Sequence, residues 1–373
     1  MPAIEYIESL LVYENPRPHV HSRHGCFPHL TSLPSGDLLA LFVIAEAFES
    51  PDGTTWISRS KDQGRTWQLQ GRLYDKTVVG FETTDAMKAT VLRDGSLIAL
   101  GYRFHRHDLE SPIAIPETGG ILPGDDLVSF SRDQGRTWSV PSIIARPYPE
   151  LLEISGPCIE LRSSGHLAAV AALYPLPDGS NPSGRLGLFL RSRDRGRTWT
   201  CDATYYRHPA LPITPYEPRI VEMQDGRLVA IVWAYDGVNG IHYPNQAVVS
   251  HDEGATWSAP IDTGHPGQAS SLTWLGGDVL LTIHAQRQKN PGVWVRLVDF
   301  RHDQWKPLAE TVIYGSSQGP QTASGQSAAD MFKSLKFGQP SLLHLGGGEI
   351  LATHWCIEDG QGRIRSHRLR LKL

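Results

Sequence analysis

Cysteine is scarce in this sequence, and its few copies lie far apart. The four cysteines, Cys26, Cys158, Cys201 and Cys356, include no CxxC pair. Structural zinc sites and disulfide scaffolds both require closely or regularly spaced cysteines. We therefore expect neither. A reducing compartment, the cytoplasm, fits this cysteine usage best, although a secreted protein whose signal peptide had been removed would look the same.

A dominant charge and long apolar runs are also missing. Lys and Arg number 35 against 39 Asp and Glu, a net charge of −4, which gives no long-range attraction to nucleic acid or to anionic membranes. No segment is long and apolar enough to span a bilayer, and residues 1–15 lack the basic and apolar regions of a signal peptide. We therefore expect neither nucleic acid nor a membrane as partner.

One octet, Ser-x-Asp-x-Gly-x-Thr-Trp, occurs four times. In a hairpin turn the Asp would accept hydrogen bonds from turn amides, the Gly would supply a positive φ, and the Trp would cover the apolar layer below. The octet therefore predicts a repeated structural turn, and a degenerate fifth copy spans residues 299–305. The four copies are Ser60–Trp67, Ser131–Trp138, Ser192–Trp199 and Ser250–Trp257.

A second repeat, Gly-x-aliphatic-aliphatic-small, occurs six times and fills the whole chain. Successive copies lie about 50–70 residues apart, which is room for a four-stranded antiparallel sheet. Radial repetition of such sheets produces an all-β, six-bladed β-propeller, here as a single domain over residues 1–373. The copies begin at Gly36, Gly95, Gly165, Gly226, Gly277 and Gly348.

The sixth unit lacks one strand, because the chain ends after the alternating segment 363–373. An open sheet edge needs a partner. Residues Ile4 to Tyr13 are β-prone and belong to no other unit, so we expect them to pair with the strand ending at Leu371 and close the ring. A solenoid is the structural alternative, but it would leave both ends open.

The repeats, together with Cys26-Phe27-Pro28-His29-Leu30 followed by the Gly36 repeat, resemble the sialidase (neuraminidase) superfamily. The resemblance covers essentially the entire chain. It implies a glycosidase in which three arginines grip a substrate carboxylate, a loop Asp is the acid/base, and a Tyr activated by a Glu is the nucleophile.

Some site residues of that family have counterparts here. The acid/base position falls in the loop that carries Glu46, Glu49 and Asp52, and Asp52 matches it best. Glu217 matches the family Glu, and Arg287 or Lys289 matches the third arginine.

Other site residues of the family are replaced. Cys26 and Trp233 stand at two arginine positions, although Arg23 lies near the first, and Gln339 stands at the nucleophile position. The resemblance therefore implies the sialidase scaffold with little or no sialidase turnover.

Loops at one face of a propeller converge on the axis, and that face is the expected pocket. Carboxylates, imidazoles, arginines and aromatic rings crowd this rim, which favours a polar ligand with stackable faces, such as a sugar. The catalytic candidates are Asp52, Asp85, Glu153 and Glu217. The substrate-binding candidates are Arg23, His24, Arg103, His105, Tyr174, Arg219, Trp233, Tyr235, His284, Arg287 and Gln339.

Three functions remain open for this pocket. A glycoside hydrolase, acting on a non-standard and possibly acidic glycan, would use two of the carboxylates. A uronic-acid lyase would use a His or Tyr base with Arg103, and a binding propeller would use neither. The cluster of His19, His21, His24 and His29 shows no metal-ligand spacing, so we expect no metal and no cofactor. The oligomeric state stays open.

Overall fold

The computed structural model describes residues 2–315, 322–323 and 325–372, whose regular secondary structure is almost entirely β-strand. The N-terminal strand β1 spans Ala3–Tyr13. The following strands form six antiparallel sheets, which we call blades I to VI in chain order. Short helices are the 3₁₀ turns Lys76–Val79 and Arg301–Asp303 and the α-helix α1, Ala328–Phe332.

Blades I to III follow β1 in order along the chain. Blade I contains β2 (His24–Ser32), β3 (Leu38–Ala45), β4 (Thr54–Ser60) and β5 (Gln68–Arg72). Blade II contains β6 (Thr83–Val91), β7 (Leu97–His105), β8 (Gly124–Ser131) and β9 (Ser142–Ile143). Blade III contains β10 (Leu152–Glu153), β11 (Ile159–Glu160), β12 (Leu167–Leu173), β13 (Gly187–Ser192) and β14 (Thr200–Tyr206).

Blades IV to VI complete the ring. Blade IV contains β15 (Ile213–Glu222), β16 (Leu228–Asp236), β17 (Ile241–His242), β18 (Gln246–Ser250) and β19 (Ile261–Asp262). Blade V contains β20 (Ser270–Gly276), β21 (Val279–Gln286), β22 (Gly292–Asp299) and β23 (Lys306–Gly315). Blade VI contains β24 (Phe337–Gly346), β25 (Glu349–Glu358), β26 (Gln361–Lys372) and, at its outer edge, β1.

The blades pack face to face around one axis, with the first strand of each blade innermost. Innermost strands contact the next blade all the way round, and β24 of blade VI contacts β2 of blade I. The second strands are buried on both faces, which explains why they read as continuous aliphatic runs such as LLALFVIA in β3. The apolar core therefore lies between blades, as where Leu39 and Leu41 meet Met87. The predicted six-bladed propeller is confirmed.

The repeated octet forms the turn between the two outermost strands of blades I to IV. These turns join β4 to β5, β8 to β9, β13 to β14 and β18 to β19. In blade I, Asp62 accepts hydrogen bonds from the Thr66 amide at 2.9 Å and from the Thr66 hydroxyl at 2.6 Å. Gly64 has a φ of 88°, and the Trp67 indole donates to its carbonyl oxygen at 3.0 Å. The degenerate copy occupies the same place in blade V, but there Asp303 accepts from Arg227 and His251 instead.

The N-terminal strand closes the ring as the sequence predicts. Strand β1 pairs antiparallel with β26, from Ile4 opposite Leu371 to Tyr13 opposite Ile364. The buried Arg368 reinforces this edge through ion pairs to Glu8 at 3.2 Å and to Glu349 at 2.7 Å. Blade VI therefore combines both ends of the chain.

The two faces of the ring carry different loops and turns, because successive strands of a blade run in opposite directions. The glycine hairpins and the octet turns lie at one end of the strands. The loops that enter the first strands and leave the second strands lie at the other end. Any site built from those loops is therefore remote from the octet turns.

Candidate functional site

A cavity of about 120 Å³ opens on the axis at the loop end of the strands. Its lining comes from the first strands, from the ends of the second strands and the loops that follow them, and from helix α1 with Leu335. Five of the sequence-predicted residues that line it are charged or amide side chains: Asp85, Glu153, Glu217, Arg287 and Gln339. The aromatic lining consists of Phe27, Phe48, Tyr102, Phe104, Tyr174, Tyr216, Trp233, Tyr235, Phe332 and Trp355.

Three lining residues adopt a backbone conformation that non-glycine residues rarely use. Phe27, Glu217 and Gln339 have φ values of 55°, 47° and 33°, and each one precedes a proline. Each also lies at a register shift where the innermost strand of its blade bulges. Such strained positions persist only when the surroundings hold them, and they concentrate at functional sites.

Glu153 and Glu217 are held together in the cavity lining. The Glu217 backbone amide donates to Glu153 Oε2 at 2.9 Å, which fixes the Glu153 carboxyl against the strained bulge. The Glu153 side chain is buried. Burial, together with the negative charge of Glu217, raises the pKa of Glu153 well above its usual value.

Glu217 lies in a different environment from Glu153. Its Oε1 accepts a hydrogen bond from Gln339 Nε2 at 2.8 Å. Its charge also acts on the three buried cations Lys88, Arg219 and Arg287. Buried cations favour a negatively charged neighbour, whereas burial beside another carboxyl group disfavours one. The two neighbouring carboxyl groups therefore have different surroundings.

The cations are held by the protein rather than exposed to solvent. Arg219 donates from Nη1 to Ser155 Oγ at 3.1 Å and is buried outside the cavity lining. Lys88 donates to the Phe27 carbonyl oxygen, and burial lowers its pKa well below the usual value. Burial also lowers the pKa of Arg287 to about 10.

Arg287 is the one predicted arginine that lines the cavity. Its Nε donates to the Phe337 carbonyl at 2.9 Å, and its Nη1 donates to Gln268 Oε1 at 2.9 Å. Its Nη2 lies against Gly338, where an added Cβ would come within 2.1 Å of it. The guanidinium is therefore fixed by its strand neighbours before any ligand binds.

Aromatic rings of blade IV form one wall of the cavity. Trp233 stacks on His242 with an interplanar angle of 14°, and its indole donates to His242 Nδ1 at 3.1 Å. Tyr235 donates to the Gln326 carbonyl at 3.0 Å. Tyr216 adjoins both and lines the cavity, although it is not among the predicted site residues. Its position next to Glu217 in the sequence was the signal that could have identified it as a site residue.

Asp85 lines the cavity but is saturated by structural contacts. Its two oxygens accept from Thr54 Oγ1 at 2.7 Å, from the Thr55 amide at 2.9 Å and from Tyr74 OH at 3.2 Å. These donors belong to blade I and to the connection between the blades. Asp85 therefore joins blades I and II.

The structure does not bring Asp52 to the axial cavity. Asp52 accepts from the Glu46 amide at 3.0 Å and lines a separate surface cleft that also contains Arg23. Glu49, from the same loop, lines the axial cavity instead and accepts from the Ala114 amide at 3.0 Å. Burial raises the pKa of Glu49. Loop geometry decides this choice, and spacing in the sequence does not encode it.

Arg103 and His105 lie on the opposite face of β7 from the cavity. Successive strand residues alternate between faces, and Tyr102 and Phe104 are the ones that line the cavity. Both predicted residues bind Asp125 instead, Arg103 at 2.7 Å and His105 at 3.0 Å.

His24 and His284 also lie outside the cavity lining. His284 is buried between blades, bonded to Asn245 Oδ1 at 2.8 Å and to Thr282 Oγ1 at 2.8 Å. His24 accepts from the Gly362 amide at 2.7 Å at the edge of blade VI. Tyr174 does line the cavity, and burial raises its pKa well above the usual value.

Among the described residues, no three His, Cys, Asp or Glu side chains are grouped so that they could hold a metal ion. Within the same ranges, no helix is long and apolar enough to cross a membrane.

The chain resembles solved propellers without matching a known family by sequence. No protein-family model matches it, and the search of curated proteins found no match. A Dyadobacter fermentans protein of unknown function has a TM-score of 0.77 and 19% identity, covering 100% of both chains. A Penicillium chrysogenum α-L-arabinanase, complexed with arabinobiose, has a TM-score of 0.65 and 16% identity over 98% of both chains. A Hadza microbial sialidase has a TM-score of 0.67 and 16% identity, covering 94% of this chain and 66% of that one. These similarities show a sialidase-like propeller fold.

Proposed function

We propose that this protein is a glycoside hydrolase that acts in the axial cavity. The observation that carries the proposal is the pair Glu153 and Glu217. The Glu217 backbone amide donates to the Glu153 carboxyl, burial raises the pKa of Glu153, and Glu217 lies among buried cations. Glycosidases need one carboxylic acid and one carboxylate at the scissile bond, and such a pair supplies both.

The environments assign the two roles. Glu153, whose pKa is raised, carries the proton and donates it to the leaving-group oxygen. Glu217 is the carboxylate that either attacks the anomeric carbon, in a retaining reaction, or activates water, in an inverting one. The anomeric configuration of the first product, followed by NMR, distinguishes these two routes.

The rest of the cavity suits a sugar. Tyr216, Trp233 and Tyr235 offer apolar ring faces on one side, and the charged and amide groups lie on the other. Two propellers with a similar fold support the proposal, one an arabinanase complexed with arabinobiose and the other a sialidase.

A lyase has less support from the same geometry. No histidine lines the axial cavity among the described residues, and Arg103 points away from it. Tyr174 does line it, but a Tyr whose pKa is raised well above the usual value is a poor base at neutral pH.

Sialosides are expected to be poor substrates. At the family's arginine positions the chain has the buried Cys26 and the wall residue Trp233, so the three-arginine grip on a carboxylate is missing. Gln339 occupies the nucleophile position and cannot form a glycosyl intermediate.

The test is a screen of the purified protein against neutral aryl glycosides, uronides and sialosides. On the best substrate, Glu153→Gln and Glu217→Gln should each lower kcat by about 10²–10⁴-fold. The matched control is Glu310→Gln, which removes a carboxylate on the outer strand of blade V and should leave kcat unchanged. Sugar binding without turnover in the whole panel would contradict a hydrolase and indicate a binding propeller.

A further inference from the structure

Two polar atoms of blade VI are buried in the cavity lining without a partner among the described residues. They are Gln339 Oε1, an acceptor, and Trp355 Nε1, a donor. The two side chains are only 5% and 1% exposed. Buried polar groups in native proteins are nearly always bonded, so each unpartnered one calls for an explanation.

The orientation of the Gln339 amide is fixed by its neighbour. Its nitrogen donates to Glu217 Oε1 at 2.8 Å. Rotating the amide by half a turn would place its oxygen against that carboxylate oxygen and remove the bond. Gln339 Oε1 is therefore an acceptor that only a donor group can satisfy.

Trp355 and Arg287 lie together at Gly338, and both line the same cavity as Gln339. Gly338, the residue before Gln339, pairs with Trp355 across the sheet. A Cβ built on Gly338 would lie 3.1 Å from Trp355 Nε1 and 2.1 Å from Arg287 Nη2. The absence of a side chain at position 338 thus leaves two donors next to each other at the cavity.

A carboxylate does not fit this set of groups. It would satisfy the Trp355 donor but not the Gln339 acceptor, and it would lie near the Glu217 charge. The Nε edge of Arg287 is also engaged, because Nε donates to the Phe337 carbonyl, and one N–H of Nη1 is used by Gln268. A hydroxyl group both donates and accepts, so sugar hydroxyls match a cavity lining that offers one acceptor and two donors.

We propose that Gln339, Trp355 and Arg287 form a hydroxyl-binding subsite that selects neutral glycans over acidic ones. The inference rests on the proposed hydrolase function and deepens it by naming the substrate class. One hydroxyl donates to Gln339 Oε1, and the same or a neighbouring hydroxyl accepts from Trp355 Nε1 and Arg287.

The first experiment uses substrate pairs that differ only in this chemistry. Aryl glucosides are compared with glucuronides, and galactosides with galacturonides, in both anomeric forms, with aryl arabinofuranosides added as neutral pentosides. We expect kcat/KM to be at least about 10-fold higher for the neutral member of the pair that is turned over. A preference for the uronide would overturn the subsite, yet it would leave the hydrolase proposal intact.

The second experiment tests the residues. Trp355→Phe keeps an aromatic ring but removes the donor, and monodeoxy versions of the best neutral substrate remove one hydroxyl each. In the wild type, removing the bound hydroxyl should lower kcat/KM by about 10–100-fold. In Trp355→Phe the same deletion should cost much less, because the partner is already gone.

The matched control is Trp274→Phe, since the Trp274 indole donates to Gly277 at the opposite end of blade V. It should keep the wild-type penalty for every deoxy substrate. If Trp355→Phe folds with wild-type circular dichroism and also keeps all the penalties, the subsite is wrong. If no glycoside of any class is hydrolysed, the proposed function fails instead.

Discussion

At the scale of single residues, the cavity depends on side chains that the backbone holds under strain. Phe27, Glu217 and Gln339 each combine a positive φ with a following proline, and proline restricts the residue before it. Pairing with the neighbouring strands on both sides of each bulge holds these residues in the strained conformation. Two of the three residues are then joined, because Gln339 donates to Glu217. Strain at these positions aims the polar groups at the axis.

Glu153 gives a prediction about stability and pH. Because its folded pKa is raised, its contribution to stability is fully present below the usual Glu pKa of 4.5 and is lost as pH rises through the folded pKa. Glu153→Gln removes this loss while its amide oxygen can still accept from Glu217. The variant should therefore gain stability relative to the wild type as pH rises. Urea denaturation at pH values of about 4.5 and about 8 measures the difference. The prediction is contradicted if the unfolding free energy of Glu153→Gln falls relative to that of the wild type as pH rises.

Gly338 gives a prediction about Arg287. In Gly338→Ala the new methyl group would collide with Arg287 Nη2, so the guanidinium must move. We expect kcat/KM to fall by about 10–100-fold, with a smaller effect on stability. Steady-state kinetics on the best substrate and thermal unfolding measure the two effects.

The control for this change is Gly315→Ala, at the end of β23, where a Cβ would meet nothing within 4 Å. It should leave both activity and stability near wild type. Unchanged kcat/KM in Gly338→Ala would show that the position of Arg287 does not matter to the reaction.

At the scale of elements, the octet turns stabilise the hairpins that carry them. Asp62→Ala removes the bonds to the Thr66 amide and hydroxyl, and we expect a loss of about 1–3 kcal/mol of stability. The turn lies at the end of blade I opposite the cavity, so KM should stay near the wild-type value. Chemical denaturation and substrate kinetics check the two parts.

The same turn predicts an acid dependence. Its hydrogen bonds lower the pKa of Asp62 to about 2. The contribution of a depressed carboxyl is present above its unfolded pKa and is lost as pH falls through the folded value. The stability gap between the wild type and Asp62→Ala should therefore narrow in acid. If Asp62→Ala instead raised KM strongly and kept full stability, the octet turns would lie near the substrate site and not at the opposite end of the blades.

At the scale of the whole molecule, the pairing of β1 with β26 joins the two ends of the chain. Glu5 lies opposite Arg370 in this register. Replacing both by Cys should give a disulfide that stabilises the oxidised protein by about 2–4 kcal/mol over its reduced form. Denaturation with and without reductant measures this, and each single Cys variant is the control. No difference between the two forms would contradict the closure.

We also propose that residues 1–373 form one domain, because the apolar core is shared between neighbouring blades rather than enclosed within them. Calorimetry should then show one unfolding transition with agreeing calorimetric and van't Hoff enthalpies. Two separated transitions would favour independent units.

The sequence by itself determined the repeating part of this protein. The octet and the glycine repeat are short-range patterns, since a turn such as that of Asp62 is completed within a few residues. Counting the six glycine repeats gave six blades. The unpaired last sheet then predicted that the N-terminal strand closes the ring, with the observed partner.

Only the tertiary structure decided which polar residues meet at the axis. Glu153, Glu217, Arg287 and Gln339 were named in advance and do line the cavity, because they sit on the first strands or at the ends of the second strands. Where a side chain faces depends on alternation and on bulges, which turned Arg103 away. Loop conformation brought Glu49 to the cavity in place of Asp52. Such choices are made by contacts between distant blades, and no local pattern in the sequence records them.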